Sequence, residues 1–330
     1  MIELKNLHVP AAEGPEGVTA AAAWALGIPR NEIKSLVILR RSIDARRKNA
    51  VIFVFSVAVE IDDEAKFLKK KRGRFTRYTP VKPYRFPYSF LSPETRPVVV
   101  GMGPAGLFAA LCLAEAGAPP VIIERGQPVE QRVMDVERFW ETGRLDTASN
   151  VQFGEGGAGT FSDGKLTSGI SDLRTTYVLK RFMEFGAPES ISYLAKPHIG
   201  TDRLRTMLIS MRQHLTDLGC DIRFGARLTD IEIENGCVKA LVIDGEDGTY
   251  TFPAEHIVLA PGNSARDTFE MLEIRGVKLS PKNFSVGVRI EHLQSAIDGA
   301  NYGEAATLGT LPASDYKLAV HPEDGHSVYT

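Results

Sequence analysis

The stretch PVVVGMGPAGLFAALCLAEAGAPPVIIER constrains this chain more than any other. Val98, Val99 and Val100 form a short β-branched run, the pattern of a buried parallel strand. A sharp turn at Gly101 leads into an Ala/Leu-rich helix predicted from about Ala105 to Ala116. A second strand is predicted at Val121–Ile123, ending on Glu124, eighteen positions beyond Gly106. Gly101 permits the tight turn, Gly103 lets backbone approach a ligand closely, and Gly106 lets helix and strand pack. The N–H groups at the helix start then face the phosphates. Glu124 is placed to accept hydrogen bonds from ribose hydroxyls. The order strand, glycines, helix, strand, acid reads as a dinucleotide-binding unit.

Glu124 would repel a 2′-phosphate, which disfavours NADP at this position. The pair Glu124-Arg125 and the Pro104-Ala105-Gly106 core are similar to the FAD form of the fingerprint. A second glycine-rich segment, NVQFGEGGAGTFSDGKL, places Gly154, Gly156, Gly157 and Gly159 within six residues, followed by Thr160. Such density serves neither helix nor strand stability, and lets backbone N–H groups approach an anion or flat ring. A third element, HIVLAPGNSARDTF, reads as a strand over Ile257–Ala260 opening into a turn at Pro261 and Gly262.

Together NVQFGEGGAGTFSDGKL, KPHIGTDRLR, VLAPGNSARDTF and FSVGVRIEH resemble the bacterial FAD-dependent dehydrogenases of the glutathione-reductase superfamily. That resemblance covers most of the chain. It implies FAD, a redox reaction and a cytoplasmic bacterial setting, but brings no substrate; the expected partner is a small-molecule substrate of unknown identity. The expected chemistry is hydride transfer at flavin N5, with the protein supplying orientation and electrostatics. Only one complete fingerprint is visible, so NAD(P)H is expected at most as a transient donor. The expected cofactor contacts are Gly101, Gly103, Pro104, Ala105, Gly106, Glu124, Arg125, Gly154, Gly156, Gly157, Gly159, Thr160, Ala260, Pro261 and Gly262.

Candidate catalytic groups are Lys165 and His198. A lysine at the flavin N1/O2 edge would stabilise the reduced anion, and Ser162 and Asp163 lie beside it. His198, between a proline and an isoleucine-glycine pair, could serve as acid or base toward substrate, the usual work of an imidazole. The bland alternatives are a solvated lysine and a hydrogen-bonding histidine. Arg289 and Glu291 alternate in a strand-like segment and could pair, or Arg289 could grip a substrate carboxylate. The seven histidines are scattered without ligand spacing, so no metal site is expected.

The fold class is therefore α/β. A Rossmann-like FAD/NAD(P)-binding domain combines a parallel sheet and helices with an antiparallel meander, beside a small N-terminal α/β domain. The 330 residues suffice for several domains. Residues 1–90 hold 17 Lys and Arg against 9 Asp and Glu, whereas the whole chain is near neutral at −2. Such a split marks a separate N-terminal module. The expected division is a basic α/β module at 1–65 and a basic, aromatic, proline-rich linker at 66–94. The FAD domain follows at 95–185 and 253–290, with a helix and meander at 186–252. A substrate domain begins at 291–330 and reads as truncated, because no late glycine–acid flavin clamp follows Phe284.

Within the module a strand is expected at 2–9, a helix at 17–26 closed by Gly27, and strands at 33–40 and 50–61. In the second part the antiparallel meander is expected to comprise 221–224, 228–234, 238–244 and 249–252. The helix from Thr201 is expected to be capped by Thr201 or Asp202. Lys69, Lys70, Lys71, Arg72, Arg74 and Arg77, interleaved with Phe75, Tyr78 and Tyr84, raise a second reading: an RNA-binding flavoprotein. No apolar run is long enough to span a bilayer. Cys112, Cys220 and Cys237 form no CxxC and are expected as buried or inert thiols in a reducing cytosol.

Overall fold

The alternation of residues 2–9 becomes strand β1 (Ile2–Pro10) of a computed structural model that describes residues 1–71, 75–84, 94–162, 164–167, 170, 172–323 and 325–329. Arg72, Arg74 and Asp163 lie outside the described residues. The chain forms two units, one of residues 1–82, 192–196 and 284–330, the other of 83–191 and 197–283.

In the first unit, helix α1 (Val18–Leu26) ends on Gly27, whose φ of +71° closes the last turn as a left-handed cap. Strands β2 (Ile33–Asp44) and β3 (Ile52–Ile61) pair antiparallel. β2 runs four residues beyond the expected Arg40 because its ladder continues to Asp44, opposite Ile52. Helix α2 (Glu64–Lys70) precedes β4 (Thr76–Arg77), which pairs with β1. The sheet order is β2-β3-β1-β4. One face, built from Leu4, Leu7, Val9, Phe53, Phe55, Val57 and Val59, packs on Val18, Ala22 and Leu26 of α1. Burying each large side chain contributes roughly 1.5–3 kcal/mol.

In the second unit the valine triplet is β5 (Val98–Val100), followed by helix α3 (Pro104–Glu115) and β6 (Val121–Ile123). Helices α4 (Val129–Thr142), α5 (Leu173–Glu184) and α6 (Thr201–Asp217) come next. Strand β7 (Asp221–Arg223) pairs parallel with β6, and so leaves the meander to which the sequence assigned it. Its backbone continues the sheet because the chain emerging from α6 returns beside β6, a parallel crossover. The meander is β8 (Arg227–Glu234), β9 (Cys237–Gly245) and β10 (Gly248–Pro253). Strand β11 (Ile257–Leu259) then joins β5 in parallel, giving the order β11-β5-β6-β7, and helix α7 (Arg266–Ile274) follows.

Side-chain alternation along the parallel strands makes three layers. Val99 and Ile122 face a core with Leu107, Leu111, Met207, Met211 and Leu215 of α3 and α6. Val98, Val100, Val121 and Ile123 face the meander through Leu228, Ile231, Leu241 and Ile243. The C-terminal ends of β5, β6 and β11 therefore open on one edge between helix and meander.

Two local expectations are corrected. The residue before α6 is Gly200, and no side chain caps the helix, because the Thr201 hydroxyl donates to the Ser162 carbonyl at 3.1 Å. Back in the first unit, the strand expected at 285–292 has no ladder partner among the described residues, and Arg289 and Glu291 form no ion pair there. Without a neighbouring strand nothing holds residues two apart, some 7 Å along an extended chain, in contact. Helix α8 (Gln294–Tyr302) and the small pair β12 (Ala319–Val320) and β13 (Val328–Tyr329) complete this unit. Among the described residues, no helix is long and apolar enough to cross a membrane.

Candidate functional site

A cavity of about 400 Å³ lies at the C-terminal ends of β5, β6 and β11, lined by the Gly101–Ala105 turn, Glu124, Arg125, the 152–159 loop and Ala260–Ser264. Crevices at the carboxyl ends of parallel strands are where open α/β sheets hold ligands. Of the expected contacts, Gly101, Gly103, Pro104, Ala105, Glu124, Arg125, Gly154, Gly157, Gly159, Ala260, Pro261 and Gly262 line it. Gly106, Gly156 and Thr160 sit beneath its wall and are not among the lining residues.

The glycines divide into two groups by what a Cβ would meet. On Gly101 it would collide with the Ala260 carbonyl, and on Gly106 with the carbonyl of Gly101. On Gly126 it would lie 2.6 Å from Gly154 Cα, and on Gly156 it would run into Leu208 and Thr160. Those glycines are required by the protein's own packing. Gly103 is different. Its φ is −73°, open to any residue, and a Cβ would meet only Gly157 Cα at 3.7 Å, an ordinary contact. Around Gly159 a Cβ would meet nothing within 4 Å, and its φ is not left-handed. Both lie on the cavity wall, so their bare backbones leave room that no protein group fills.

Helix α3 starts at this wall, and its first-turn N–H groups have no intrahelical acceptor. They point a partial positive charge at the cavity. Glu124, 5% exposed, does more than line the opposite side. Its Oε2 accepts the Met102 N–H at 2.7 Å, and its Oε1 accepts those of Gly126 at 2.9 Å and Gly154 at 3.0 Å. A carboxylate offers about four acceptor positions, so about one is left for a ligand hydroxyl. Arg125 stacks on the Phe153 ring at 4.3 Å and donates to Asp267 at 2.9 Å and Thr268 at 3.2 Å. The resulting wall is flat, cationic and aromatic.

Beneath the loop lies a charged core that sequence reasoning missed. Arg132 is wholly buried and donates to five oxygens of residues 150–160. Burial lowers its pKa to about 10. Glu155, also wholly buried, accepts the Val129 N–H at 2.8 Å and an Arg212 N–H at 2.6 Å through Oε2, while Oε1 has no partner. Burial raises its pKa. Arg212 continues to Glu130 on α4 at 2.5 Å. A signal existed: Val129, Arg132 and Val136 share one apolar stripe of α4, so Arg132 falls at a core position.

Lys165 and His198 are brought together as opposed residues of an antiparallel bridge. The Leu166 N–H donates to the Pro197 carbonyl at 2.9 Å and the Ile199 N–H to the Gly164 carbonyl at 3.2 Å. Both residues are exposed, and neither is among the lining residues of the cavity.

The layered sheet and its strand-end cavity define a dinucleotide-binding α/β domain. Residues 94–278, more than half the chain, match the family model described as FAD binding domain, and the chain belongs to that family. Residues 283–330 match the model of an FAD-dependent protein, C-terminal domain-like, and residues 1–60 match a domain of unknown function. An uncharacterised protein of Clostridium beijerinckii is 42% identical over 299 residues, covering 90% of this chain and 55% of its own length. The chain thus spans about half the length of that relative. Among solved structures, Thermovibrio ammonificans THI4 is similar at 19% identity and a TM-score of 0.34, over 56% of this chain and 64% of that one. A 3-ketosteroid-Δ4-(5α)-dehydrogenase of Rhodococcus jostii is similar at 17% identity and 0.34, over 54% and 48%.

Proposed function

We propose that this chain is the FAD-holding part of an oxidoreductase acting on a small molecule. The observation that carries the reading is the pair Gly103 and Gly159: bare backbone on the cavity wall with no protein neighbour that requires it. A pyrophosphate against the α3 N-terminus accounts for Gly103. Glu124, with about one acceptor position unused, receives a ribose hydroxyl. The Arg125–Phe153 wall provides a surface on which an adenine can lie. FAD, when bound, supplies two-electron chemistry of the hydride type. The protein binds, orients and desolvates it. Lys165 and His198, which face each other on one bridge outside the cavity lining, remain the proposed groups of the flavin end, a cation and an imidazole.

The test is the visible absorption of the purified chain, before and after incubation with FAD and desalting, with calorimetric titration beside it. Retained flavin bands and saturable binding are expected. Absence of any FAD affinity in folded protein overturns the reading. A nicotinamide donor is a separate matter, tested by the rate at which NADH or NADPH bleaches the bound flavin.

A further inference from the structure

The geometry points to Arg132 as the positioning residue of the loop that faces the cofactor, acting through carbonyl groups rather than by touching the ligand. This rests on the FAD reading of the cavity.

Its Nε donates to the Asn150 carbonyl at 2.8 Å and Nη2 to that of Val151 at 3.0 Å. Nη1 reaches the Glu155 carbonyl at 2.6 Å, the Thr160 hydroxyl at 3.1 Å and, more distantly, the Gly154 carbonyl at 3.4 Å. The Phe161 ring lies over the guanidinium at 5.0 Å. One side chain thus holds both ends of the loop from 150 to 161. Four carbonyl groups of that loop are turned inward onto one cation. Apart from a short 3-10 turn at Gly157–Phe161 the loop has no strand or helix ladder, so these bonds help to fix its backbone.

Arg132 takes part in no ion pair among the described residues. A buried guanidinium without a carboxylate is costly to hold unless its donors are all met. Here backbone carbonyls and the Thr160 hydroxyl meet them, while the charges of Glu124 and Glu155 act on the guanidinium without direct ion-pair contact. Gly154 separates it from the cavity: a Cβ there would collide with Arg132 Cδ, and Gly154 lines the wall. Arg132 therefore lies one residue beneath the surface that a pyrophosphate would meet. Its part is to set the loop's shape.

Lysine keeps the charge but offers three donors on one atom, and cannot reach five oxygens spread around a planar fork. Methionine keeps the volume and removes both charge and donors. Arg132→Lys and Arg132→Met are compared with the unaltered chain by amide hydrogen exchange over residues 150–161 without FAD, by thermal midpoint, and by calorimetric FAD affinity. Both variants are expected to exchange at least about tenfold faster in that loop, while amides of β1 and β3 stay as protected as before. FAD affinity is expected to fall about 10- to 100-fold in both, because a small misplacement of a positioning wall is that costly.

If Arg132→Lys binds FAD within about threefold of the unaltered chain, charge alone suffices and the positioning role is overturned. Unchanged exchange across 150–161 in either variant overturns it as well. Should Arg132→Met fail to fold, Arg132→Lys carries the comparison. If the unaltered chain binds no FAD, the cofactor reading falls by itself, and the loop exchange, measured without ligand, still decides whether Arg132 shapes the loop.

Discussion

The amide of Gly154 donates to Oε1 of Glu124 at 3.0 Å, tying the residue after a strand to a loop glycine thirty positions later. The same carboxylate holds Met102 and Gly126. The Gly101 turn, the β6 terminus and the glycine loop are therefore joined through one side chain. Further backbone bonds reinforce the junction: Gly156 N–H to the Met102 carbonyl at 2.8 Å, and Glu155 N–H to that of Gln127 at 3.2 Å. The cavity wall is assembled from three chain segments, and its shape depends on all of them.

Gly103 and Gly106 are expected to respond in opposite ways to alanine or valine. Gly103→Val adds bulk to open space at an ordinary φ, so the thermal midpoint should stay close to that of the unaltered chain, a change within about 0.5 kcal/mol. FAD affinity should nevertheless fall at least about tenfold, because the Cβ occupies the cofactor's approach. Gly106→Ala drives a Cβ into the Gly101 carbonyl and should destabilise the fold by about 1–3 kcal/mol or more. Calorimetry and thermal unfolding of both variants check this. A Gly103→Val protein that binds FAD normally would remove the main support for the cofactor reading.

The three thiols should differ sharply in reactivity. Burial pushes the Cys220 thiol up to about 11 and raises that of half-buried Cys112, while Cys237 is exposed on β9. Thiolate is the reactive form. At about pH 8 in native conditions, one equivalent of a disulfide reagent should react quickly, at Cys237, and the other two only on unfolding. Peptide mapping after brief alkylation identifies the site. Rapid labelling of Cys220 would contradict the packing between α6 and β7.

Much of this architecture was legible in the sequence because it depends on local pattern. Val98–Val100, the Gly101 turn and the Ala/Leu-rich helix each carry their own signal, and all three elements appear where expected. Asp221–Arg223 was misassigned because three residues cannot declare which sheet they join; the partner strand decides. Arg132 and Glu155 escaped because charged residues are read as surface unless something pairs them. Arg132 instead finds backbone carbonyls, which leave no mark in the sequence. The glycines show the same limit from the other side. Gly154 and Gly156 look alike in the chain, yet Gly154 lines the cavity above Arg132 whereas Gly156 packs away from it on Leu208.

Glu155 should give the protein a measurable pH dependence. Burial raises its folded-state pKa, with the Val129 amide and Arg212 opposing that shift. A carboxyl raised in this way adds stability that is complete below its unfolded-state pKa and is lost as pH rises through the folded-state value. The unaltered chain should therefore gain stability relative to Glu155→Gln as pH is lowered from about 8 toward about 5. Paired thermal unfolding series of the two proteins provide the comparison. A difference that stays constant with pH, or grows in the opposite direction, would mean that the Arg212 pair governs this site and burial does not.

Glu124→Gln is expected to damage both fold and ligand binding, for one reason. The carboxylate accepts three backbone N–H groups with two oxygens, whereas an amide has one oxygen and turns an NH₂ toward the rest. Either Met102, or Gly126 and Gly154, must then face a donor. Each buried N–H left unmet costs about 1–3 kcal/mol, so a loss of about 2–4 kcal/mol is expected by chemical denaturation. The remaining folded protein should bind FAD at least about tenfold more weakly, since the wall that Glu124 ties together is displaced and its ribose acceptor is gone. Glu124→Asp separates the two contributions. It keeps both oxygens on a shorter stem, so it should recover part of the binding only if the acceptor itself, and not the reach of the side chain, is what the cofactor uses.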